Sequence, residues 1–298
     1  MSEMRGIVVP LVTPFAADSS IDVDRLVKHV DRVIEAGVHG VIVAASTGEG
    51  VSLLDGERDL LIRTTVEVAA GRVLVLVGCS SYATNDVVAK IDRAAELGAV
   101  GAMITHPYYA LPDERELLTH YETVSGRVAL PVMVYNNPAT TGIDMQPEAF
   151  AEVLSMPNLV AAKESSGDCT RIPRLRRLVA PEFPLLCGTD NQALEQFVGG
   201  ADGWVAGVAN VIPAQCVALF NLVAAGDLVG AQSLYRRIYR YLTAAELTGK
   251  YVQVNRAGLE VLGFPVGPPR QPLLAIDEEL MAEVASAVEE ANRTQELS

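Results

Sequence analysis

Short apolar runs rich in β-branched residues recur along the chain, and segments with helical periodicity lie between them. The eight runs are "GIVVPLV" from Gly6, "GVIVAA" from Gly40, "RVLVLVG" from Arg72, "VGAMIT" from Val100, "LPVMVY" from Leu130, "NLVAAK" from Asn158, "FPLLCG" from Phe183 and "GWVAGV" from Gly203. Their starts are about 20 to 35 residues apart, the length of a strand, a crossover helix and two loops. The pattern therefore predicts eight parallel strands.

The first intervening segment shows why these stretches are interpreted as helices. Leu26, Val30 and Val33 recur at the spacing of one helix face. Asp22 is a favoured N-cap residue type, and Gly37 is a favoured residue just beyond a helix end. Comparable patterns occupy residues 55–70, 84–97, 113–125, 147–155, 170–180, 191–199 and 213–225.

The strands are continuously hydrophobic rather than alternating, which indicates a sheet covered on both faces. Eight βα units over residues 1–226 most economically close into a (β/α)₈ TIM barrel, an α/β fold. The competing fold is an open doubly wound sheet, but its GxGxxG fingerprint is absent after the first strand, where the sequence is "PLVTPFAADSS".

Residues 227–298 continue with three more helical patterns, which predict a C-terminal helical extension. The proline-rich break "GFPVGPPRQP" precedes the last of them and is expected to form a loop. The extension is expected either to pack on the barrel or to build an oligomer interface.

Composition narrows the function classes. The chain has 298 residues, 50% hydrophobic and 20% charged, with a formal net charge of −14. This balance argues against nucleic-acid binding, because the longest basic run is "RLRR", Arg174 to Arg177. The four cysteines show no metal-ligand spacing, and a reduced, cytoplasmic location is expected. No apolar window approaches the roughly 18 residues of a membrane span.

Active sites of such barrels lie at the C-terminal ends of the strands, so the residues at each predicted strand exit are the candidates for chemistry. Hydroxyl groups dominate these positions, which are Thr13, Ser46, Thr47, Ser80, Ser81, Thr105, Tyr108, Tyr109, Tyr135, Asn136, Lys163, Glu164, Gly188, Asp190 and Asn210. The chain has four lysines, and only Lys163 ends a strand.

Two interpretations of Lys163 remain open. A strand-end lysine can extend to water or pair with Glu164. Alternatively, the amine points into the barrel, where burial favours the neutral form that adds to a carbonyl to give a Schiff base. Tyr135 on the neighbouring strand is then the expected acid/base, or else a core aromatic. The segment "ASTGEG", from Ala45, offers backbone N–H groups to a carboxylate, although such a turn also simply links a strand to a helix.

Together these segments resemble the dihydrodipicolinate synthase/N-acetylneuraminate lyase family of Schiff-base-forming aldolases. The matching motifs are "STGEG", "THPYY", "VYNNPATTG", "AKESSGD" and "GTDN" with "GGADGWVAGVAN", in the family's order and over nearly the whole chain. The resemblance implies a lyase that acts on pyruvate or a related 2-oxo acid, with no metal and no dissociable cofactor. It also implies a homotetramer built as a dimer of dimers.

The resemblance also implies roles for individual residues. Lys163 would form the imine and Tyr135 would shuttle protons. Ser46 and Thr47 match the pair that binds the 2-oxo acid carboxylate, with Thr47 in the proton relay. Tyr109 matches a tyrosine that enters the neighbouring subunit's site. Gly188 and the backbone of Val205 match positions that complete the pocket.

One position departs from the family's synthases. These carry an arginine, after the strand-five tyrosine, that holds the aldehyde substrate's carboxylate, and Thr140 stands there in this chain. Thr140, Thr141 and Asp190 instead suggest a pocket for a hydroxylated or uncharged tail, as in 2-keto-3-deoxy sugar acids or 4-hydroxy-2-oxo acids. Aldol cleavage or condensation, dehydration and deamination all remain open, and a genuine 4-hydroxy-tetrahydrodipicolinate synthase is the alternative.

Two further alternatives belong to other functional classes. A phosphosugar barrel would use the glycine-rich "GGADG", from Gly199 to Gly203, as a phosphate site, but it lacks basic support. A catalytically silent barrel would act as a binding protein. The joint presence of Lys163, Tyr135 and Thr47 argues against that second alternative.

Overall fold

The computed structural model of the protein describes residues 4–293. Within this range eight strands form one closed parallel barrel in chain order, and the first strand also pairs with the eighth. The strands are β1 (Gly6–Pro10), β2 (Gly40–Val43), β3 (Leu74–Gly78), β4 (Gly101–Thr105), β5 (Val132–Asn136), β6 (Leu159–Glu164), β7 (Leu185–Cys187) and β8 (Gly203–Val205). The predicted (β/α)₈ barrel is confirmed.

Helices surround the barrel and continue beyond it. The helices of the described range are α1 (Val23–Glu35), α2 (Asp55–Ala69), α3 (Thr84–Glu96), α4 (Glu114–Arg127), α5 (Pro138–Thr141), α6 (Pro147–Leu154), α7 (Arg171–Arg176), α8 (Ala193–Val198), α9 (Pro213–Ala224), α10 (Leu228–Leu247), α11 (Tyr251–Val261) and α12 (Glu278–Ala291). Short 3₁₀ turns occupy Gly50–Ser52, Asp190–Gln192 and Gly207–Asn210.

Helix α1 begins and ends as its sequence predicts. The Asp22 carboxylate accepts a hydrogen bond from the backbone N–H of Arg25 at 2.9 Å and so caps the first turn. Gly37, just past the C-terminus, has a φ of +88°, which a residue with a side chain rarely adopts. Leu26, Val30 and Val33 are buried.

The strands separate two hydrophobic cores. One lies between the sheet and the helices. The other fills the barrel interior with side chains from all eight strands, among them Val8, Ile42, Leu76, Met103, Met133, Ala161, Leu186 and Val205. Because side chains of a strand alternate between faces, this inner set determines which strand-end residues point into the barrel.

The three helices after residue 226 pack onto the barrel and onto each other. Helix α10 contacts α9, α12 and the turn Asp190–Gln192, whereas α11 contacts α12 and the turn Gly207–Asn210. The proline-rich segment before α12 forms a loop, as predicted. The C-terminal extension is therefore present, although residues 294–298 of its predicted range lie outside the described residues.

The structure also differs from the predicted helix boundaries. The pattern over 170–180 gives only the short α7, which ends at Arg176. Helix α5 was not predicted, although Pro138 at its first position and Gly142 just after its end, with a φ of +73°, are typical helix boundaries.

Candidate active site

A cavity of about 630 Å³ opens at the C-terminal ends of the strands. Its lining combines apolar side chains with hydroxyl and amide groups, and Lys163 is the one cationic side chain among the described lining residues. These include Ser46, Thr47, Tyr135, Asn137, Thr140, Lys163, Ser165, Gly188, Gln192, Glu246 and Tyr251. The cavity lies where catalytic residues occur in this fold.

Lys163 points into the barrel. Ala161, two residues earlier, belongs to the inner core, whereas Ala162 belongs to the outer one, so strand alternation turns Lys163 inward. The residue is 6% exposed. Glu164 faces the other side, where its carboxylate accepts hydrogen bonds from Asn136 Nδ2 and the backbone N–H of Ser166. The pairing of Lys163 with Glu164, one of the two interpretations above, is therefore absent.

Tyr135 lies directly beside this lysine. The two residues are register partners across β5 and β6, and Lys163 Nζ lies 3.9 Å from the centroid of the Tyr135 ring. Asn137 Nδ2 donates a hydrogen bond to Tyr135 Oη at 2.7 Å. Since that bond uses a lone pair of Oη, the phenolic proton remains available to an acceptor in the cavity.

The loop after β2 presents Ser46 and Thr47 to the cavity. In the described chain, the backbone N–H groups of these two residues have no protein acceptor, whereas those of Gly48 and Gly50 bond to the Ala45 carbonyl. A Cβ at Gly50 would overlap the carbonyl oxygen of Ala44, so this turn requires glycine there. The free N–H groups fit the predicted carboxylate site.

A buried ion pair fixes this loop to the C-terminal extension. Glu49, with a left-handed φ of 56°, accepts from Arg256 Nε at 2.9 Å and from the backbone N–H of Arg270 at 2.8 Å. Arg256 also donates to the carbonyl oxygen of Thr13 at 2.7 Å, and the Thr13 hydroxyl donates to the carbonyl of Gly48. Helix α11 thus braces the Ser46–Thr47 turn.

Gly188 lies against the lysine side chain. A Cβ at this position would lie 2.6 Å from Lys163 Cε and would overlap Ser165 Oγ. Ser165 Oγ is buried and has no hydrogen-bond partner among the described residues. Because Gly188 has no side chain, Lys163 has space beside the unpaired Ser165 hydroxyl.

Two predicted binding residues do not line the cavity. Asp190 is fully buried, and its carboxylate accepts from Trp204 Nε1 at 2.8 Å, Tyr251 Oη at 2.6 Å and the Val208 N–H at 3.2 Å. These three donors use the Asp190 oxygens, so in this structure the carboxylate supports the turn beside the cavity, and its contact with a substrate tail stays a prediction. Val205 lies in the inner core, below the cavity.

The remaining predicted residues lie at the cavity's edge or outside it. Thr140 lines the cavity, whereas the Thr141 hydroxyl donates to the Asn137 carbonyl at 2.9 Å. Tyr109 is 93% exposed, has a φ of 100° and makes an edge-on contact with the ring of Tyr82. Within one subunit Tyr109 does not reach the cavity.

Several lining residues were not singled out from the sequence. Asn137 and Ser165 follow strands β5 and β6, so the strand-exit rule could have found them. Glu246 and Tyr251 belong to the C-terminal helices, where no strand end indicates a site. Burial together with the neighbouring Asp190 raises the pKa of the Glu246 carboxyl to about 7.

The glycine-rich segment of the phosphosugar alternative has an acidic centre. Asp202 bonds to both Arg5 and Arg176 and accepts from the backbone N–H of Leu185 at 3.0 Å, at the start of β8 and away from the cavity.

Over residues 4–293, no group of three or more His, Cys, Asp or Glu side chains is placed to hold a metal ion. No helix in the same range has the length and hydrophobicity to cross a membrane.

An amine among hydroxyl groups at the catalytic end of a barrel is the arrangement of class I aldolase-type lyases, in which a lysine forms an imine with a carbonyl substrate. The model of the dihydrodipicolinate synthetase family matches residues 3–291. The chain belongs to this family.

The following relatives and solved structures are similar to this chain over most of its length. A 4-hydroxy-tetrahydrodipicolinate synthase of an Exiguobacterium species is 33% identical and covers 98% of this chain and 99% of its own. One from Stenotrophomonas maltophilia is 39% identical over 79% of each chain. Dihydrodipicolinate synthase from Thermotoga maritima superposes with a TM-score of 0.93 at 28% identity, covering 97% and 99% of the chains. A monomeric dihydrodipicolinate synthase variant superposes with a TM-score of 0.92 at 28% identity, covering 97% of both.

Proposed function

We propose that Lys163 forms an imine with pyruvate or a larger 2-oxo acid, and that the enzyme makes or breaks a bond at the carbon next to the imine. The observation that carries this proposal is the inward, 6%-exposed Lys163 whose Nζ lies 3.9 Å from the Tyr135 ring centroid. Ser46 and Thr47 bind the substrate carboxylate through their free N–H groups and hydroxyls.

The proposed chemistry needs only this chain's groups and water. Lys163 Nζ attacks C2 of the 2-oxo acid, and the carbinolamine loses water to give a protonated imine. In aldol cleavage the C3–C4 electron pair moves toward the imine nitrogen, while the C4 hydroxyl gives up its proton and leaves as an aldehyde. The enamine is then protonated at C3, and water releases pyruvate and the free amine. Tyr135, with Thr47, carries the protons between these steps.

The cavity supports a hydroxylated, uncharged substrate tail. Beyond Lys163, its described lining contains no cation to balance a second carboxylate, and Thr140 cannot form the bidentate pair of an arginine. Thr140, Thr189 and Gln192 instead offer hydroxyl and amide groups. We therefore favour 2-keto-3-deoxy sugar acids or 4-hydroxy-2-oxo acids over aspartate semialdehyde as reaction partners.

The names of the similar proteins support a second candidate, condensation of pyruvate with aspartate semialdehyde. A panel assay separates the two candidates. Pyruvate is offered with aspartate semialdehyde and with neutral hydroxyaldehydes, and cleavage of 2-keto-3-deoxy acids is followed in parallel. Highest kcat/KM with the neutral substrates supports the first candidate. Highest kcat/KM with aspartate semialdehyde would replace it by the second.

We also propose that a second copy of the chain covers the surface around Tyr109 and receives this tyrosine in its own site. Exposed apolar side chains support this, since Tyr82 is 51%, Tyr109 93% and Leu111 60% exposed. Light scattering should give a tetramer for the wild type and smaller species for Leu111→Asp. A monomeric wild type, as in the similar monomeric variant, would refute the assembly and leave the imine chemistry standing.

A further inference from the structure

Glu246, at the end of α10, brings a carboxyl group into the lysine cavity from outside the barrel. Its Oε1 accepts a hydrogen bond from the backbone N–H of Asp190 at 2.6 Å. Its Oε2 has no hydrogen-bond partner among the described residues, and this oxygen is partly accessible to solvent. One oxygen is thus fixed by the barrel, and the other remains available to a bound molecule.

The neighbouring carboxyl of Asp190 differs in its surroundings. Burial raises the pKa of Asp190, while hydrogen bonds from Tyr251, Trp204 and the Val208 N–H act in the opposite direction and occupy both of its oxygens. Ionising both of these neighbouring buried carboxyls is costly, and Glu246 is the one that keeps an oxygen free toward the cavity. This explains why burial and Asp190 together raise the pKa of Glu246 to about 7.

The titratable groups that face Glu246 come from four elements. Asp190 follows β7 and opposes ionisation of Glu246, whereas Lys163 of β6 favours it. Tyr251 of α11 and Cys187 of β7 also lie within electrostatic range, and the pKa of each is raised, mainly by burial. Both are therefore neutral near pH 7, and the charge balance at Glu246 rests on Asp190 and Lys163.

We propose that Glu246 determines substrate specificity by accepting hydrogen bonds from tail hydroxyls and by repelling a 2-oxo acid that carries a second, distal carboxylate. This inference rests on the proposed imine at Lys163 and names the tail chemistry that the same site selects. The free Oε2 in the cavity and the absence of a second cation in the described lining carry it.

The charge state of Glu246 gives this specificity a pH dependence. Below pH 7 the Glu246 carboxyl is mostly protonated. In this form it repels an anion only weakly and can still form a hydrogen bond with a substrate hydroxyl. Above pH 7 the carboxylate adds a negative charge beside the tail. Discrimination against a distal carboxylate therefore increases as the pH rises through about 7.

Two five-carbon competitors test the proposal, 2-oxoglutarate and 5-hydroxy-2-oxopentanoate, which differ only in the tail group. Both are assayed as inhibitors of borohydride trapping of pyruvate on the enzyme, so that no turnover is needed. For the wild type, the ratio of the inhibition constants of 2-oxoglutarate and the hydroxy acid should rise about tenfold between pH 6 and pH 8, the effect of about 1.4 kcal/mol of repulsion. In Glu246→Gln the ratio should be low and independent of pH.

The outcomes distinguish a failure of the Glu246 proposal from a failure of the proposed imine at Lys163. Glu260→Gln, an exposed change on α11, is the matched control and should keep the wild-type pH dependence. Pyruvate that is trapped normally while the wild-type ratio stays constant from pH 6 to pH 8 would overturn the role of Glu246 alone, even if Glu246→Gln failed to fold. A wild-type enzyme that is not trapped at all would overturn the proposed imine chemistry.

Discussion

The Nζ atom of Lys163 lies 3.9 Å from the centroid of the Tyr135 ring, on the adjacent strand of the barrel. The contact follows directly from strand register, because the two residues are paired partners of β6 and β5. Asn137 donates to Tyr135 Oη and leaves the phenolic proton free for an acceptor near the lysine. An amine and a proton donor are thus placed together before any substrate arrives.

Removing the phenolic hydroxyl tests its role in proton transfer. We expect Tyr135→Phe to retain the imine with pyruvate, while turnover falls by about 10² to 10⁴, the usual contribution of one general acid/base. Steady-state kinetics and borohydride trapping on the same preparation measure the two effects. Equal, mild losses in both assays would contradict the assigned role.

The absence of a side chain at Gly188 gives a second prediction. A methyl group there would meet Lys163 Cε at 2.6 Å and Ser165 Oγ more closely still, so Gly188→Ala should displace the amine and slow imine formation by at least about tenfold. The rate of pyruvate trapping is the measurement. Gly56→Ala in α2, where an added Cβ has no neighbour within 4 Å, is the control and should trap pyruvate normally. An unaffected Gly188→Ala would show that the amine does not need this space.

The buried pair of Glu49 and Arg256 should contribute strongly to stability. Arg256→Met leaves the Glu49 carboxylate without its main partner, and the loss of one member of a buried pair costs about 3 to 5 kcal/mol. Urea unfolding measures the change. The exposed partner of Asp59, Arg93, supplies a surface control, because Arg93→Met should leave the urea midpoint nearly unchanged. Similar midpoints for both variants would refute a bracing role for the buried pair.

Buried histidines should make the fold sensitive to acid. Burial lowers the pKa of His106 to about 4, and its ring bonds to Tyr121 Oη at 2.7 Å and to Asn136 Oδ1 at 3.0 Å. An unfolded histidine has a pKa of about 6.5, so between about pH 6.5 and pH 4 the unfolded chain binds the extra proton and stability falls as the pH falls.

The variant His106→Gln isolates this effect. From pH 7.5 to pH 5.5, the free energy of unfolding of the wild type should fall by about 1.4 kcal/mol more than that of the variant, while above pH 8 the two curves run parallel. Urea titrations at each pH provide the comparison. Parallel curves through pH 5.5 would mean that His106 is not held neutral in the folded state.

The barrel could be predicted because each strand and helix carries its own hydrophobic period. The strand-exit rule then led to Lys163, Tyr135 and the Ser46–Thr47 turn, since parallel strands bring their C-terminal ends together. These inferences need only local sequence and the topology of the fold.

The rest of the site depends on contacts across long stretches of chain. Glu246 reaches the cavity only through the packing of α10 against the turn that holds Asp190, 56 residues earlier. The sequence motif suggested Asp190 as a substrate ligand, but Trp204 and Tyr251 occupy its carboxylate in the folded protein. Neither arrangement follows from periodicity or from strand ends.

The most direct test of the imine chemistry is peptide mass spectrometry after borohydride reduction in the presence of pyruvate. We expect the reduced pyruvyl adduct on the peptide that contains Lys163, and no adduct in Lys163→Arg under the same conditions. Lys90→Arg, a change outside the cavity lining that contains Lys163, should keep the adduct. An unmodified Lys163 peptide, or a label of equal intensity on other lysines, would contradict the central claim.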